Sequence, residues 1–246
     1  VNVTARASNG RGLAVPVPDV ALAPGRLGRA LKHLFFWLLI RPVLTVGLGL
    51  NVRHRQRLPE SGPAILVANH NSHLDTVVMM ALLPARLLPR VRPVAAADYF
   101  LSNRAVAWFS LHVLGILPVV RGGRRADPAY DPLAQCREVL DRGEVVVIFP
   151  EGTRGEAERM AELKSGIGHL ATSRPDVPVI PLFLHGLGKT LPKGATLPVP
   201  FFCDVFVGEP LEGGDERWRG DPKAFTRELG GRLDELASEG RFAEWE

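Results

Sequence analysis

His70 and Asp75 stand five positions apart in Asn69-His70-Asn71-Ser72-His73-Leu74-Asp75, directly behind the apolar run Ala64 to Ala68. A neutral imidazole can take a proton from an alcohol near neutral pH, and a carboxylate can fix its tautomer and stabilise the imidazolium that forms. On a continuous helix, five residues would separate the two side chains by about 140°. The pair therefore needs an irregular backbone between its members. The sequence offers one: Pro63 opens a short apolar strand, and Thr76 to Leu83 has helical length and composition, with Ser72 as its cap. Two other readings use the same residues. Ser72-x-x-Asp75 matches a capping box, in which Asp75 only satisfies a backbone amide. His70, His73 and Asp75 are also possible metal ligands, although no second group of His, Cys or carboxylate residues completes a shell.

A second stretch suits an anion. After the strand candidate Glu144 to Phe149 comes Pro150-Glu151-Gly152-Thr153-Arg154, read as leading into a helix on which Met160, Leu163, Ile167 and Leu170 recur at helical spacing. Proline stops the strand, glycine lets a ligand approach the backbone, and a helix N-terminus offers free amides. Arg154 adds a planar fork matched to phosphate oxygens. Gly115 to Val120 ends in Arg121-Gly122-Gly123, a further guanidinium at a strand end, and Lys164 is a third cation. Each has a plainer counterpart: a surface turn, a solvated basic loop, a solvated helix lysine.

These residues need elements to hold them. Short apolar runs at Ala64–Ala68, Val91–Ala95, Ile116–Val120, Val145–Phe149, Val177–Leu184 and Cys203–Val207 alternate with helical segments. That pattern predicts a single α/β domain with a central, mostly buried mixed sheet flanked by helices. With 246 residues, 46% of them apolar, the chain has material for one large folded domain. Cys136 and Cys203 lie far apart and outside any C-x-x-C pattern, which argues against a disulfide framework or zinc knuckle and for a reducing, cytosolic setting.

The charges are unevenly placed. Residues 1–125 carry 16 Lys and Arg against only Asp19, Glu60, Asp75 and Asp98, a net of +12, so the remainder carries −8 of the overall +4. A basic half points to a polyanion, nucleic acid or anionic lipid. Residues 34–50, LFFWLLIRPVLTVGLGL, decide for lipid, because an aliphatic and aromatic run bordered by Arg and Lys suits a membrane interface and not bases. Arg41-Pro42 interrupts the run, which predicts a bent or paired interfacial helix ahead of a true span or an ordinary core helix. The chain then divides into a poorly ordered leader (1–24), a membrane-associating helical segment (25–58) and the α/β domain (59–246).

Taken in order, Asn69-His70-x-Ser72-x-x-Asp75, Gly115 to Arg121, Phe149-Pro150-Glu151-Gly152-Thr153-Arg154 and Val177-Pro178-Val179-Ile180-Pro181 resemble the four sequence blocks of the glycerolipid acyltransferase family. The resemblance covers about residues 59–210. It implies that His70 is the general base and Asp75 its orienting acid. Arg121, Glu151, Gly152, Thr153 and Arg154 would hold the acceptor's phosphate, with Ser72 and Lys164 as further candidates, and the block around Pro181 would serve the acyl-donor side. Val120 and Leu163 depart from the family, many members having an acidic and an aromatic residue there. The implied reaction joins the acyl group of acyl-CoA or acyl-carrier protein to the free hydroxyl of lysophosphatidic acid, giving phosphatidic acid, with another lysolipid or glycerol-3-phosphate as the alternative acceptor. It needs neither metal nor cofactor beyond the thioester co-substrate and occurs at the cytoplasmic face of an anionic membrane, by a peripheral or monotopic protein with no nucleic-acid partner. A silent lipid-binding protein and a metal-dependent hydrolase are the rival classes. A serine hydrolase would need a G-x-S-x-G elbow around its nucleophile, which Ser72 lacks.

Overall fold

The computed structural model describes residues 6–8, 14–16, 25–72, 74–100, 103–120, 131–155, 160–190 and 202–239. The six apolar runs become strands within one or two residues of their predicted bounds. They are β4 (Ala64–Ala68), β5 (Val91–Ala96), β6 (Leu117–Val119), β7 (Val145–Ile148), β8 (Pro178–His185) and β9 (Asp204–Val207). Two short edge strands escaped the sequence reading: β3 (Asn51–Arg53) and β10 (Leu211–Glu212). The sheet runs β3-β9-β8-β4-β7-β5-β6, with β10 alongside β8. β8, β4, β7, β5 and β6 are mutually parallel, whereas β9 runs antiparallel to β8. The sheet is therefore mixed, as the alternation predicts. Residues of β4 and β7 are buried on both faces, which is why their sequences are unbroken apolar runs.

Within residues 1–24, β1 (Arg6–Ser8) and β2 (Ala14–Pro16) form a local antiparallel ladder, separate from the main sheet. Backbone pairing across three residues on each side gives this stretch hydrogen-bond partners without a hydrophobic period.

The first long helix, α1, runs from Arg26 to Gly47, 22 residues, and passes straight through Arg41-Pro42. The helix continues past the proline, with wider π turns at Phe36–Ile40 and Val43–Gly47 on either side of it. Lys32, Phe36, Ile40, Leu44 and Leu48 recur every four residues and are buried. Their apolar members share one core cluster with Leu66, Met79 and Val145, so α1 is continuous in packing with the α/β domain. By length and composition α1 can cross a bilayer, but crossing would strip this stripe from the core.

The remaining helices are α2 (Asp75–Leu82), α3 (Ala97–Phe100), α4 (Arg104–Trp108, extended by π turns over Phe109–Leu114), α5 (Ala134–Asp141), α6 (Gly166–Ser173), α7 (Leu187–Thr190) and α8 (Pro222–Glu239). The helix expected to follow Arg154 begins only at Gly166. Met160 and Leu163 reach the core from a non-helical segment, since Lys164 N–H donates to the Pro150 carbonyl at 3.0 Å and pins the chain beside the strand end.

At the amino ends of β5 and β6 sits a buried group of charges. Lys32 Nζ donates to the carbonyls of Val91 (2.9 Å) and Leu114 (3.0 Å). Arg92 Nε donates to Gly115 O (2.8 Å), and its guanidinium lies 3.5 Å from Glu144. Gly115 ends α4 in the left-handed region, φ 73°, where a side chain would be strained. Burial, reinforced by the Arg92 charge and opposed by Glu144, pushes the Lys32 ammonium down to about 7 from 10.5. Between these values the unfolded chain holds more protons than the folded one, so stability contributed at Lys32 rises with pH across that window and the penalty is complete below it. With Arg92 and Glu144 unchanged, the stability of the wild type relative to Lys32→Met should rise by about 2 kcal/mol from pH 7 to pH 9. Urea denaturation of both proteins at the two pH values measures this, and a difference that stays flat would show that Lys32 does not titrate there.

Candidate active site

The parallel strands end on one edge, where open α/β sheets hold their ligands. β4 pairs Val67 with Ile148 of β7. Three residues further along each strand, the same register sets His70 opposite Glu151. His70 N–H donates to Glu151 Oε1 at 2.7 Å, and the His70 carbonyl accepts the Gly155 N–H at 2.9 Å. The segment after β7 therefore grips the backbone of His70 on both sides.

The side chain is held equally. His70 Nδ1 lies 2.9 Å from Asp75 Oδ2, and the same oxygen accepts the backbone N–H of Asn71 (2.7 Å) and of Ser72 (2.8 Å). Asp75 is fully buried at the first position of α2. An oxygen that accepts two amides in this way makes Nδ1 the donor, which leaves the lone pair on Nε2. Phe149 stacks on the imidazole, centroids 4.2 Å apart and planes 19° from parallel. The His70 side chain keeps 19% of its surface exposed, so Nε2 is placed to accept a proton from outside.

One Asp75 oxygen thus receives the Ser72 amide, as a capping box would have it, together with the imidazole. Ser72 itself is not the helix cap. Leu74 occupies that position, and Ser72 Oγ accepts the Leu74 N–H at 3.2 Å within the turn. At 1% exposure Ser72 is shielded from any substrate. The amides of Asn71 and Ser72 are spent on Asp75, so they are not the oxyanion donors of this turn.

Glu151, which the resemblance sets among the phosphate-binding residues, bonds the backbone in this structure. It is 3% exposed and its two oxygens take the amides of His70 and Ala161, the latter at 2.9 Å. A buried carboxylate engaged in this way would repel a phosphate. Burial raises its proton affinity, and the Ala161 and His70 amides oppose that shift. Gly152 has φ 72°, and its missing side chain leaves room for Lys164, whose ammonium end lies against it. Lys164 thus lies at the third-block turn and not on a helix. Thr153 is exposed and Arg154 half-buried on the same turn. Arg121 and His73 lie outside the described residues. β6 nevertheless brings its carboxyl end to this edge: Val119 pairs with Ala96 of β5, and Pro93 of β5 with Val147 of β7. Two strand spacings, about 10 Å, separate β6 from β7. Among the described residues no group of three or more His, Cys, Asp and Glu side chains has metal-binding geometry.

Two residues of the site were not singled out from sequence. Asn69 Oδ1 accepts the Leu184 N–H (2.7 Å) while its Nδ2 donates to the Leu184 carbonyl (3.0 Å) and to Asn71 Oδ1 (2.6 Å), locking the end of β4 to β8. Phe149 supplies the ring beneath His70. Their positions inside the recognisable blocks were the only available signal.

The sequence profile of the acyltransferase family matches residues 49–185. The chain is 31% identical over 147 residues to the chloroplastic 1-acyl-sn-glycerol-3-phosphate acyltransferase of Arabidopsis thaliana, covering 59% of this chain and 38% of that one. It is 30% identical over 178 residues to the human 1-acyl-sn-glycerol-3-phosphate acyltransferase alpha, 70% of this chain and 56% of the relative. It spans less than two thirds of the length of each. The crystal structure of the 1-acyl-sn-glycerophosphate acyltransferase PlsC from Thermotoga maritima has the same fold, with a TM-score of 0.64 at 19% identity over 90% of this chain and 80% of that one.

If Glu151 holds the backbone of His70, Glu151→Ala should destabilise the protein by about 2–4 kcal/mol, because two amides lose a buried carboxylate. Denaturant unfolding tests this. A variant of unchanged stability with only a weakened acceptor KM would restore Glu151 to the phosphate site.

Proposed function

Because this chain belongs to the acyltransferase family, we propose that it transfers a fatty acyl group from an acyl thioester to the free hydroxyl of lysophosphatidic acid, forming phosphatidic acid. The relatives named above carry this activity in their names. The observation that carries the reading here is the 2.9 Å bond from His70 Nδ1 to buried Asp75, which leaves Nε2 as a base at the carboxyl edge.

His70 Nε2 takes the proton of the acceptor hydroxyl as its oxygen attacks the thioester carbonyl. The C–O bond forms, the tetrahedral intermediate collapses, the C–S bond breaks, and the departing thiolate takes the proton back from the imidazolium. Asp75 stabilises that imidazolium, so no acyl-enzyme is needed. Thr153 and Arg154, with Arg121, hold the phosphate of the acceptor, and Lys164 adds charge beside Gly152. The donor is acyl-CoA or acyl-carrier protein, and the chemistry asks for no metal.

The substrates place the reaction at a membrane. α1 offers an apolar outer face with Trp37 at 63% and Leu38 at 68% exposure, opposite its buried stripe. That arrangement suits a peripheral or monotopic protein lying on anionic lipid, and two buried cysteines that form no disulfide suit a cytoplasmic face.

With purified protein and labelled acyl-CoA against a panel of lysolipids and glycerol-3-phosphate, lysophosphatidic acid should be the best acceptor. His70→Ala should lower kcat by about a thousandfold while binding to anionic vesicles is retained, and Arg154→Ala should act mainly on the acceptor's KM. Turnover that survives in His70→Ala would refute the assignment of the base.

A further inference from the structure

Every large, exposed apolar side chain among the described residues lies on one of three segments: α1 between Leu27 and Val46, α4 at Val106 and Trp108, and Phe202. Distant in sequence, they join in space. α4 packs alongside α1, with Phe35 and Phe109 in edge contact at 5.2 Å. Between the two helices runs an apolar groove of about 340 Å³, walled by Leu31, Leu34 and Leu38 on one side and Trp108, Phe109 and Val113 on the other. Phe202 lies against Gly49, just past the end of α1, its ring 3.1 Å from where a β-carbon would stand. Lys32 ties the helices together, since its ammonium bonds the Leu114 carbonyl at the end of α4 as well as Val91.

We propose that α4 and Phe202, and not α1 alone, are seated in lipid, forming one bilayer-facing surface that ends beside the catalytic edge. This rests on the membrane reading above and adds two elements that the sequence did not offer. A continuous apolar surface of this kind needs a partner, and the charges around it select a bilayer. Neither α1 nor α4 contains an acidic residue, whereas Arg26 and Arg29 at the start of α1 and Arg104 at the start of α4 are exposed. Arginines beside apolar side chains meet lipid phosphates at the depth where the chains enter the acyl region. A second copy of the same surface would instead set arginine against arginine. The surface also leads toward the reaction: Phe202 stands two residues before Asp204, which pairs with His185 at the carboxyl end of β8. The groove between α1 and α4 then takes a hydrocarbon chain of the surrounding lipid.

The chain contains four tryptophans, so full-length variants that keep only Trp37, only Trp108 or only Trp218, the others changed to Phe, can be mixed with phosphatidylcholine/phosphatidylglycerol vesicles bearing brominated acyl chains. Quenching is expected for Trp37 and Trp108 alike, and not for Trp218, which is 3% exposed beneath the sheet. The double variant Val106→Glu/Trp108→Glu should lower vesicle partitioning at least tenfold and change turnover of a water-soluble short-chain acceptor by less than twofold. Quenching of Trp37 without Trp108 would overturn the proposal and confine the contact to α1. A stable dimer by light scattering with Trp108 unquenched on vesicles would overturn it in favour of a second copy. If no variant partitions and neither tryptophan is quenched, the membrane reading itself fails, whatever acyl transfer shows in solution.

Discussion

A histidine proposed as a base needs a backbone that cannot swing away, and at His70 that constraint is met by the segment after β7. Glu151 takes the His70 amide and Gly155 gives its own amide to the His70 carbonyl. Both contacts follow from the parallel register of β4 and β7, which sets the residues beyond their carboxyl ends side by side. The site is thus an extension of the sheet ladder, with one carboxylate standing in for a backbone acceptor. Asp75 repeats the device: a single oxygen closes the turn onto α2 and orients the imidazole. Folding of the turn and preparation of the base are one event, because the donors that shape the loop converge on the atom that holds Nδ1.

The sheet separates its buried charges by edge. At the amino ends of β5 and β6, Lys32, Arg92 and Glu144 are buried and bond backbone carbonyls or one another. Lys32 sits at the carbonyl end of α4, where the helix dipole favours a cation, which offsets part of its desolvation. Such an arrangement is demanding, since removing one member leaves the others buried without partners. Its benefit is mechanical: it is the only polar tie from α1 to the domain among the described residues, and it reaches two elements at once. At the opposite edge the imidazole, Thr153 and Arg154 keep contact with solvent, as the roles proposed for them require.

Much of this was legible in the residues and some was not, for reasons of range. Strands buried on both faces announce themselves as unbroken apolar runs, so β4 through β9 could be placed. β3 and β10 are short, and only pairing with strands far away in the sequence makes them strands. Pro42 looks like an interruption because a local rule cannot see the π turns and core packing that carry α1 past it. Met160, Leu163, Ile167 and Leu170 have helical spacing, yet the first two enter the core from a chain pinned by Glu151 and Pro150. The same long-range contacts decide the surroundings of Glu151. In sequence it belongs to a phosphate block, and only the register of β4 on β7 shows which atoms its oxygens meet. Asn69 was hidden similarly, its partner Leu184 being 115 positions away.

The direction of α1 joins the two edges. It begins near the buried charges, where Lys32 meets the start of β5, and ends at Gly47, shortly before β3 pairs with β9 in register with Asp204. Asp204 in turn pairs with His185, at the carboxyl end of the parallel strands. A helix laid along that path with its outer side in lipid holds the carboxyl edge at the level of the membrane surface. A lysophospholipid has its phosphate and free hydroxyl at that level and its chain below it. In the reaction proposed above, such an acceptor would offer its hydroxyl to Nε2 while its chain stays in hydrocarbon, so the free energy of extracting the chain into water would not be incurred.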